Sequence, residues 1–281
     1  MDLASPVSLR SGWRAELTLD FERRGEKTVL AARRHCGPLV VQKPLYPEGE
    51  RVCQAIVVHP PAGIAGGDEL AVEVRAAEGA HALLTTPGAG RWYRSAGSWA
   101  RQTLALEARD GACLEWLPQE TIVYDGAAAD LRTDVRLAGD ARSIGWDVLC
   151  LGRTGSGERF ERGECRVATC VWRDGRLLWR ERGRIAAGGA LAQSPAGLGG
   201  RSVCGTMYAA STGMDAAAVA RCREVEPTAG ESGVTLLPGV LLARYIGDSS
   251  EAAKRYFVEL WRRLRPALAG REAEEPRIWR T

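Results

Sequence analysis

The sequence predicts a mainly β protein, with long antiparallel strands in stacked sheets, sandwich-like or β-helix-like, and a few helices toward the C-terminus. Three observations carry this. Apolar and polar residues alternate at a period of two through most of the chain. Gly-Asp, Asp-Gly and Glu-Gly pairs punctuate the alternating runs. Helical spacing appears only beyond about residue 213.

Taken in order, "LAVEVRA" sets Leu70, Val72 and Val74 against Ala71, Glu73 and Arg75, and Glu78-Gly79 turns it into "AHALLTT". "DLRTDVRLA" repeats the pattern. "CRVATCVW" and "RLLWRER", joined by Asp174-Gly175, predict a hairpin, because Asp-Gly suits a turn with positive φ. "GGALAQSPAGLGGRS" predicts a surface loop. "MDAAAVARCREVE", with Asp215 as N-cap, predicts a helix, and "LLPGVLLARYIG" returns to strand. In "DSSEAAKRYFVELWRRLRP", Asp248 and Glu251 form a capping-box pattern. Ala253, Tyr256, Phe257, Leu260, Trp261 and Leu264 make one apolar face, read as core, and Pro266 is expected to end the helix. The alternating strands read as antiparallel pairs and not as a βαβ repeat. A single domain is expected over residues 12–281, with residues 1–11 as a flexible N-terminal segment.

The chain has 281 residues, 45% hydrophobic and 26% charged, with a net charge of +3. That balance is too even to point to nucleic acid or an anionic membrane. No run reaches the roughly 18 apolar residues of a membrane span, and the start is not a secretory signal, so a cytoplasmic protein is expected. Eight cysteines form no C-x-x-C pair, so reduced and mostly buried thiols are expected and not a zinc site.

The familiar chemistries fail one by one. "HPPAGIAGGD" lacks the Lys-Ser/Thr of a phosphate loop, and the acids after Gly67 would repel phosphate. The glycines of "GRTGSGERF" do not open a helix. There is no G-x-S-x-G elbow, and the only histidines are His35, His59 and His81. "LEWLPQETIVYDGA" places Glu115, Glu120 and Asp125 near Trp116, superficially like a sugar site, but the sequence gives no separation between the acids. No nucleophile, base and orienter stand together, which suits a binding or scaffold protein better than an enzyme.

Five segments in order, from about residue 12 to the C-terminus, resemble the UreD (UreH) family of urease accessory proteins. They are "HPPAGIAGGDEL" with Gly63, Gly66 and Gly67; "LLTTPGAGRWYRS" with Thr85, Thr86, Tyr93 and Arg94; "GACLEWLPQETIVYDGA" with Trp116, Pro118 and Gln119; "LGRTGSGERFERG" with Gly152 and Arg153; and the ending "LWRRLRPALAG … EPRIWRT". The chain departs from the family pattern at Ala62, which stiffens the loop, at Pro87, Gly88 and Gly90, at Arg91, and at Trp146-Asp147, where Trp-Glu is frequent. The resemblance implies a mainly β, non-catalytic maturation factor. It would bind the urease apoprotein and UreF, and through UreF the GTPase UreG, and help pass nickel to the urease active site, with no tightly bound cofactor of its own.

On that reading Asp68, with some of Glu115, Glu120 and Asp125, is expected to line a polar nickel route, with His59 and Cys53 as transient ligands; the plainer alternative makes Asp68 a turn cap. Scattered carboxylates bind weakly and let an ion leave, as a conduit requires. The competing readings are a β-rich carbohydrate-active enzyme using Glu115 and Glu120, and a carbohydrate-binding module. The ending "PRIWRT" is expected to dock on this fold or on a partner.

Overall fold

A computed structural model of the chain describes residues 12–61 and 63–280. The expectations for residues 1–11 and for Ala62 lie outside the described residues. The chain opens with β1 (Arg14–Arg24), β2 (Lys27–Cys36), β3 (Val40–Val41) and β4 (Val52–Val58). Then follow β5 (Glu69–Ala76), β6 (His81–Thr85), β7 (Gly90–Trp92), β8 (Ala100–Ala108), β9 (Cys113–Trp116) and β10 (Thr121–Val123). β11 (Ala128–Leu137), β12 (Arg142–Leu151), β13 (Glu164–Arg173) and β14 (Arg176–Ala186) complete the middle. The last third holds α1 (Ala190–Gln193), β15 (Val203–Ala210), α2 (Ala216–Arg223), β16 (Glu231–Leu237), β17 (Val240–Gly247) and α3 (Ser250–Ala269).

The mainly β, stacked-sheet expectation holds, but the pairing sense differs from the sequence reading. The first sheet runs β14-β13-β11-β8-β5-β1-β2, and all pairs from β13 to β1 are parallel. In the second sheet β4, β6, β9 and β12 are likewise parallel. Antiparallel pairing is confined to the margins: β1–β2, β13–β14, β3–β4, and the run β12-β15-β17-β16. The reason is where the turns lead. Glu78-Gly79, Asp110-Gly111 and Gly139-Asp140 do not fold a strand back on its neighbour; each carries the chain to the opposite sheet. The next visit to a sheet then runs the same way as the last, as in a solenoid coil. Period-two alternation reports a half-buried strand and is silent on the direction of its partner. Where a two-residue turn does close a hairpin, at Asp174-Gly175, both residues have positive φ, 49° and 77°, as a primed turn requires.

Two cores result. One fills the space between the sheets, built from residues such as Leu19, Val74, Leu106 and Val135. The other lies between the second sheet and the helices and contains Trp146, Met207, Phe257 and Trp261. α3 supplies the aromatic stripe expected as core: Tyr256, Phe257, Leu260, Trp261 and Leu264 are all buried. Its cap is Ser249, whose hydroxyl accepts from the Ala252 N–H, while Asp248 instead binds Arg201 and Ser202. Pro266 does not end the helix; α3 runs on to Ala269 and stops at Gly270, which has φ 65°. Proline forfeits one N–H, and so close to the helix end a single missing bond is tolerated. Among the described residues no helix is long and apolar enough to cross a membrane.

The terminal segment docks on this fold. Arg277–Arg280 forms a 3-10 turn that sets Trp279 against Trp146 and Trp261, at 5.9 Å between ring centroids in each case. The Trp279 indole donates to Thr85 Oγ1 at 2.7 Å.

Candidate functional site

The short turns lie at one end of the coil and the long connections, 59–68, 86–99, 117–127 and 152–163, at the other. Much of the motif sequence therefore converges at the long-loop end. Gly63 leaves room for the Tyr93 ring and Gly66 for Ser95. Gly67, with φ 98°, leads into Asp68. Tyr93 stands edge-on to Tyr124 at 5.2 Å, and the Arg153 guanidinium lies over the Tyr124 ring. Gly152 presses on the backbone of residues 158–160, and Arg153 pairs with Glu158 at 2.7 Å. Thr85 Oγ1 donates to the Leu117 carbonyl, the Gln119 N–H donates to Thr86 Oγ1, and the Pro118 carbonyl accepts from the Trp146 indole. Trp116 is buried.

The acids singled out in the sequence do not share one site. Asp68, buried at the start of β5, accepts the Trp13 N–H on one oxygen and the Ala65 N–H on the other, both at 2.8 Å. This is the turn-capping geometry. His59 lies near it, and burial lowers its pKa against the pull of Asp68, leaving a neutral imidazole at pH 7. Asp125 receives the backbone N–H groups of Glu161 and Arg162, the Arg162 guanidinium on its second oxygen, and Arg94 at 3.6 Å. It pins the long-loop end together. Cys53 is a buried thiol whose pKa burial raises. Glu120 is half-buried, with Lys254 and Cys150 among its neighbours.

Glu115 sits elsewhere, on β9, facing α3, and is fully buried. Its Oε1 lies 2.6 Å from His81 Nε2 and 3.0 Å from Arg265 Nη2; its Oε2 accepts the Trp261 indole at 2.6 Å. Arg265 also pairs with buried Glu48 and donates to the Glu272 carbonyl at 2.6 Å. Burial alone would raise the Glu115 pKa, but the His81 hydrogen bond and the Arg265 charge outweigh it and hold it down at about 2. Burial would lower that of His81, but Cys113 and Glu115 carry it well above the usual imidazole range. Two cations then balance two anions in a dry site. His81, Cys113 and Glu115 have donor atoms within 4.8 Å of one another, a metal-like spacing. Here, however, a guanidinium already holds the carboxylate, so the group serves to fasten α3 to the second sheet. An enclosed carboxylate with every oxygen occupied also removes Glu115 from the two acids of the carbohydrate-enzyme alternative.

An open space lies between the sheets, toward the β14 and β16 edges. It is a cavity of about 540 Å³. From the first sheet Leu104, Thr133, Thr169 and Glu181 point into it, and from the second Asp147, Thr206, Cys204 and Arg244. The glycine-rich loop after β14 contributes Leu191 and Leu198 to its wall, so it is a cover as well as a surface loop. Asp147 makes no ion pair or side-chain hydrogen bond among the described residues. Burial, with a smaller contribution from Glu181, pushes its pKa up to about 6. Burial pushes the Cys204 thiol up to about 12, and raises that of Cys165 further.

Asp147 stood out in the sequence only as a departure from a motif, and Glu181 not at all. The signal was present. In "SIGWDVLCL" Asp147 falls on the same alternation as Gly145 and Leu149. In "WRERGRI" Glu181 shares the inward face with Trp179 and Ile185, while Arg180, Arg182 and Arg184 face out.

A model of the UreD urease accessory protein family matches residues 14–280. The chain is 57% identical over 280 residues to the urease accessory protein UreD of Azoarcus sp. strain BH72, covering 100% of this chain and 98% of the relative. It is 56% identical to that of Dechloromonas aromatica, over 96% and 95% of the two chains, and 52% identical to that of Pseudomonas aeruginosa PAO1, over 98% of each. Matched along nearly its whole described length, with motif segments converging at one end of the coil, the chain belongs to the UreD family of urease accessory proteins.

Proposed function

We propose that this protein is a non-catalytic, cytoplasmic scaffold of urease maturation that binds the urease apoprotein and UreF, and through UreF the GTPase UreG, and that nickel passes through it by way of the cavity between its sheets. Nickel is cargo, not a resident cofactor. The observation that carries the reading is the pair Asp147 and Glu181, facing one largely apolar cavity from opposite sheets, where a sandwich core would normally hold no charge. A half-buried carboxylate with no ion pair or side-chain hydrogen bond among the described residues is costly, so the place of Asp147 between the sheets fits use by a passing cation. Carboxylates, a threonine hydroxyl and water hold nickel loosely enough for it to leave. Of the residues first considered, His59 and Glu120 keep donor capacity beside the long loops and could hand the ion on. Asp68 and Asp125 hold the long loops together and Glu115 fastens α3; none of the three lines the cavity.

The test is co-expression with apo-urease, UreF and UreG, reading assembly by pull-down and urease activity separately. Asp147→Ala and Glu181→Gln are expected to assemble normally and to leave urease mostly inactive. Asp68→Ala is expected to lower assembly and activity together. Full activation with both cavity acids removed would refute the cavity as the route.

A further inference from the structure

Arg244 stands where a cation would have to sit. Across β12, β15 and β17 the side chains turned toward the first sheet form one row, Asp147, Thr206 and Arg244. Arg244 reaches over the cavity to the facing sheet, where its Nη1 lies 2.5 Å from Glu181 Oε1 and 3.4 Å from Thr206 Oγ1. The guanidinium thus contacts one of the two cavity acids, Glu181, and the hydroxyl next to the other, since Thr206 is the cross-strand neighbour of Asp147. Its side chain is 51% exposed, whereas that of Glu181 is 25% exposed, so the arginine enters from the mouth and can leave by it.

Resting on the reading of the cavity as a nickel route, we infer that Arg244 is a built-in counter-ion that closes an Asp147–Glu181 divalent-cation site until its guanidinium swings out of the mouth. A guanidinium and a divalent cation cannot share one carboxylate oxygen, and at that range their charges repel strongly. An ion pair exposed on one side holds only weakly, so the swing is easy. Arginine stays charged throughout the physiological range, so this gate responds to position and not to pH. An acidic group of a docked protein near the mouth would draw the guanidinium outward and open the site only within the assembled complex. Free protein would then hold nickel more weakly than the assembled complex.

The experiment is calorimetric titration of the purified full-length protein with Ni²⁺, comparing wild type with Arg244→Met, Arg244→Lys, Glu181→Gln and the double variant Arg244→Met/Glu181→Gln. Removing the competing charge is expected to tighten Ni²⁺ binding about tenfold or more. Arg244→Lys should stay near wild type, and the double variant should lose the gain. Arg244→Gln is the second variant should methionine disturb the mouth, with near-UV circular dichroism confirming the fold of each. If both neutral variants bind within twofold of wild type while Glu181→Gln weakens binding, the gate is wrong and the cavity reading stands. If Glu181→Gln changes nothing in either background, nickel binds elsewhere and the cavity reading falls with the gate.

Discussion

Glu115 and Asp147 are both acids on strands of the second sheet, and they have opposite surroundings. Glu115, turned toward α3, is enclosed by His81, Trp261 and Arg265, and its pKa is held down at about 2. Asp147, turned toward the first sheet, borders open space, makes no ion pair among the described residues and has its pKa pushed up to about 6. The first arrangement spends its charge on structure. The second keeps charge in reserve at a cost in stability. Counting donors and room around a buried acid therefore separates a fastening from a site better than burial does.

The largest effect expected from this contrast is at Glu115. Glu115→Ala strands Arg265 and His81 in a dry core and should cost about 3–5 kcal/mol, the range for breaking a buried pair from one side. Urea denaturation measures it; a loss below about 1 kcal/mol would mean the cluster is far wetter than its geometry says. Because the folded pKa of Glu115 is depressed, its contribution is complete above the ordinary glutamate range and is lost as pH falls through about 2. Next is the terminal anchor. Trp279→Ala should cost about 2–3 kcal/mol by emptying the space between Trp146 and Trp261 and removing the indole hydrogen bond to Thr85. Deleting Arg277 to Thr281 should act likewise, lowering the melting temperature of the isolated protein before any partner is added. An unchanged melting temperature would make the tail a partner-binding element instead.

Much of this was legible in the sequence where local chemistry decides it. Alternation located the strands, Asp174-Gly175 the hairpin, and the stripe from Ala253 to Leu264 the buried face of α3. What was not legible is set by distance. Whether Gly79 or Gly111 leads back to the same sheet or across to the other depends on the whole coil, so parallel pairing was hidden. His81, Glu115 and Arg265 meet across 184 positions of sequence between the first and last, and no local pattern announces them. Arg180, Arg182 and Arg184 around Glu181 give the segment the look of a solvated charge run. Only the inward positions of Trp179 and Ile185 reveal its face.

The smallest effect, and the sharpest on the comparison, is Asp147→Asn. A folded pKa raised from 3.8 to about 6 means that the folded state binds the Asp147 proton more tightly than the unfolded chain does. The stabilising contribution is present in full below the unfolded value and is lost as pH rises through about 6. At pH 8 wild type therefore carries the whole cost of an ionised, partnerless carboxylate, and at pH 4 almost none of it. Asparagine removes the charge and keeps the shape. It should stabilise the protein at pH 8 by about 1–2 kcal/mol, after allowance for partial exposure, and leave it nearly unchanged at pH 4. Glu115→Gln should do the reverse, destabilising at pH 8. Thermal melts at the two pH values read both. If Asp147→Asn destabilises at pH 8, Asp147 has a partner after all, and the acid is a second fastening instead of a site held open for a cation.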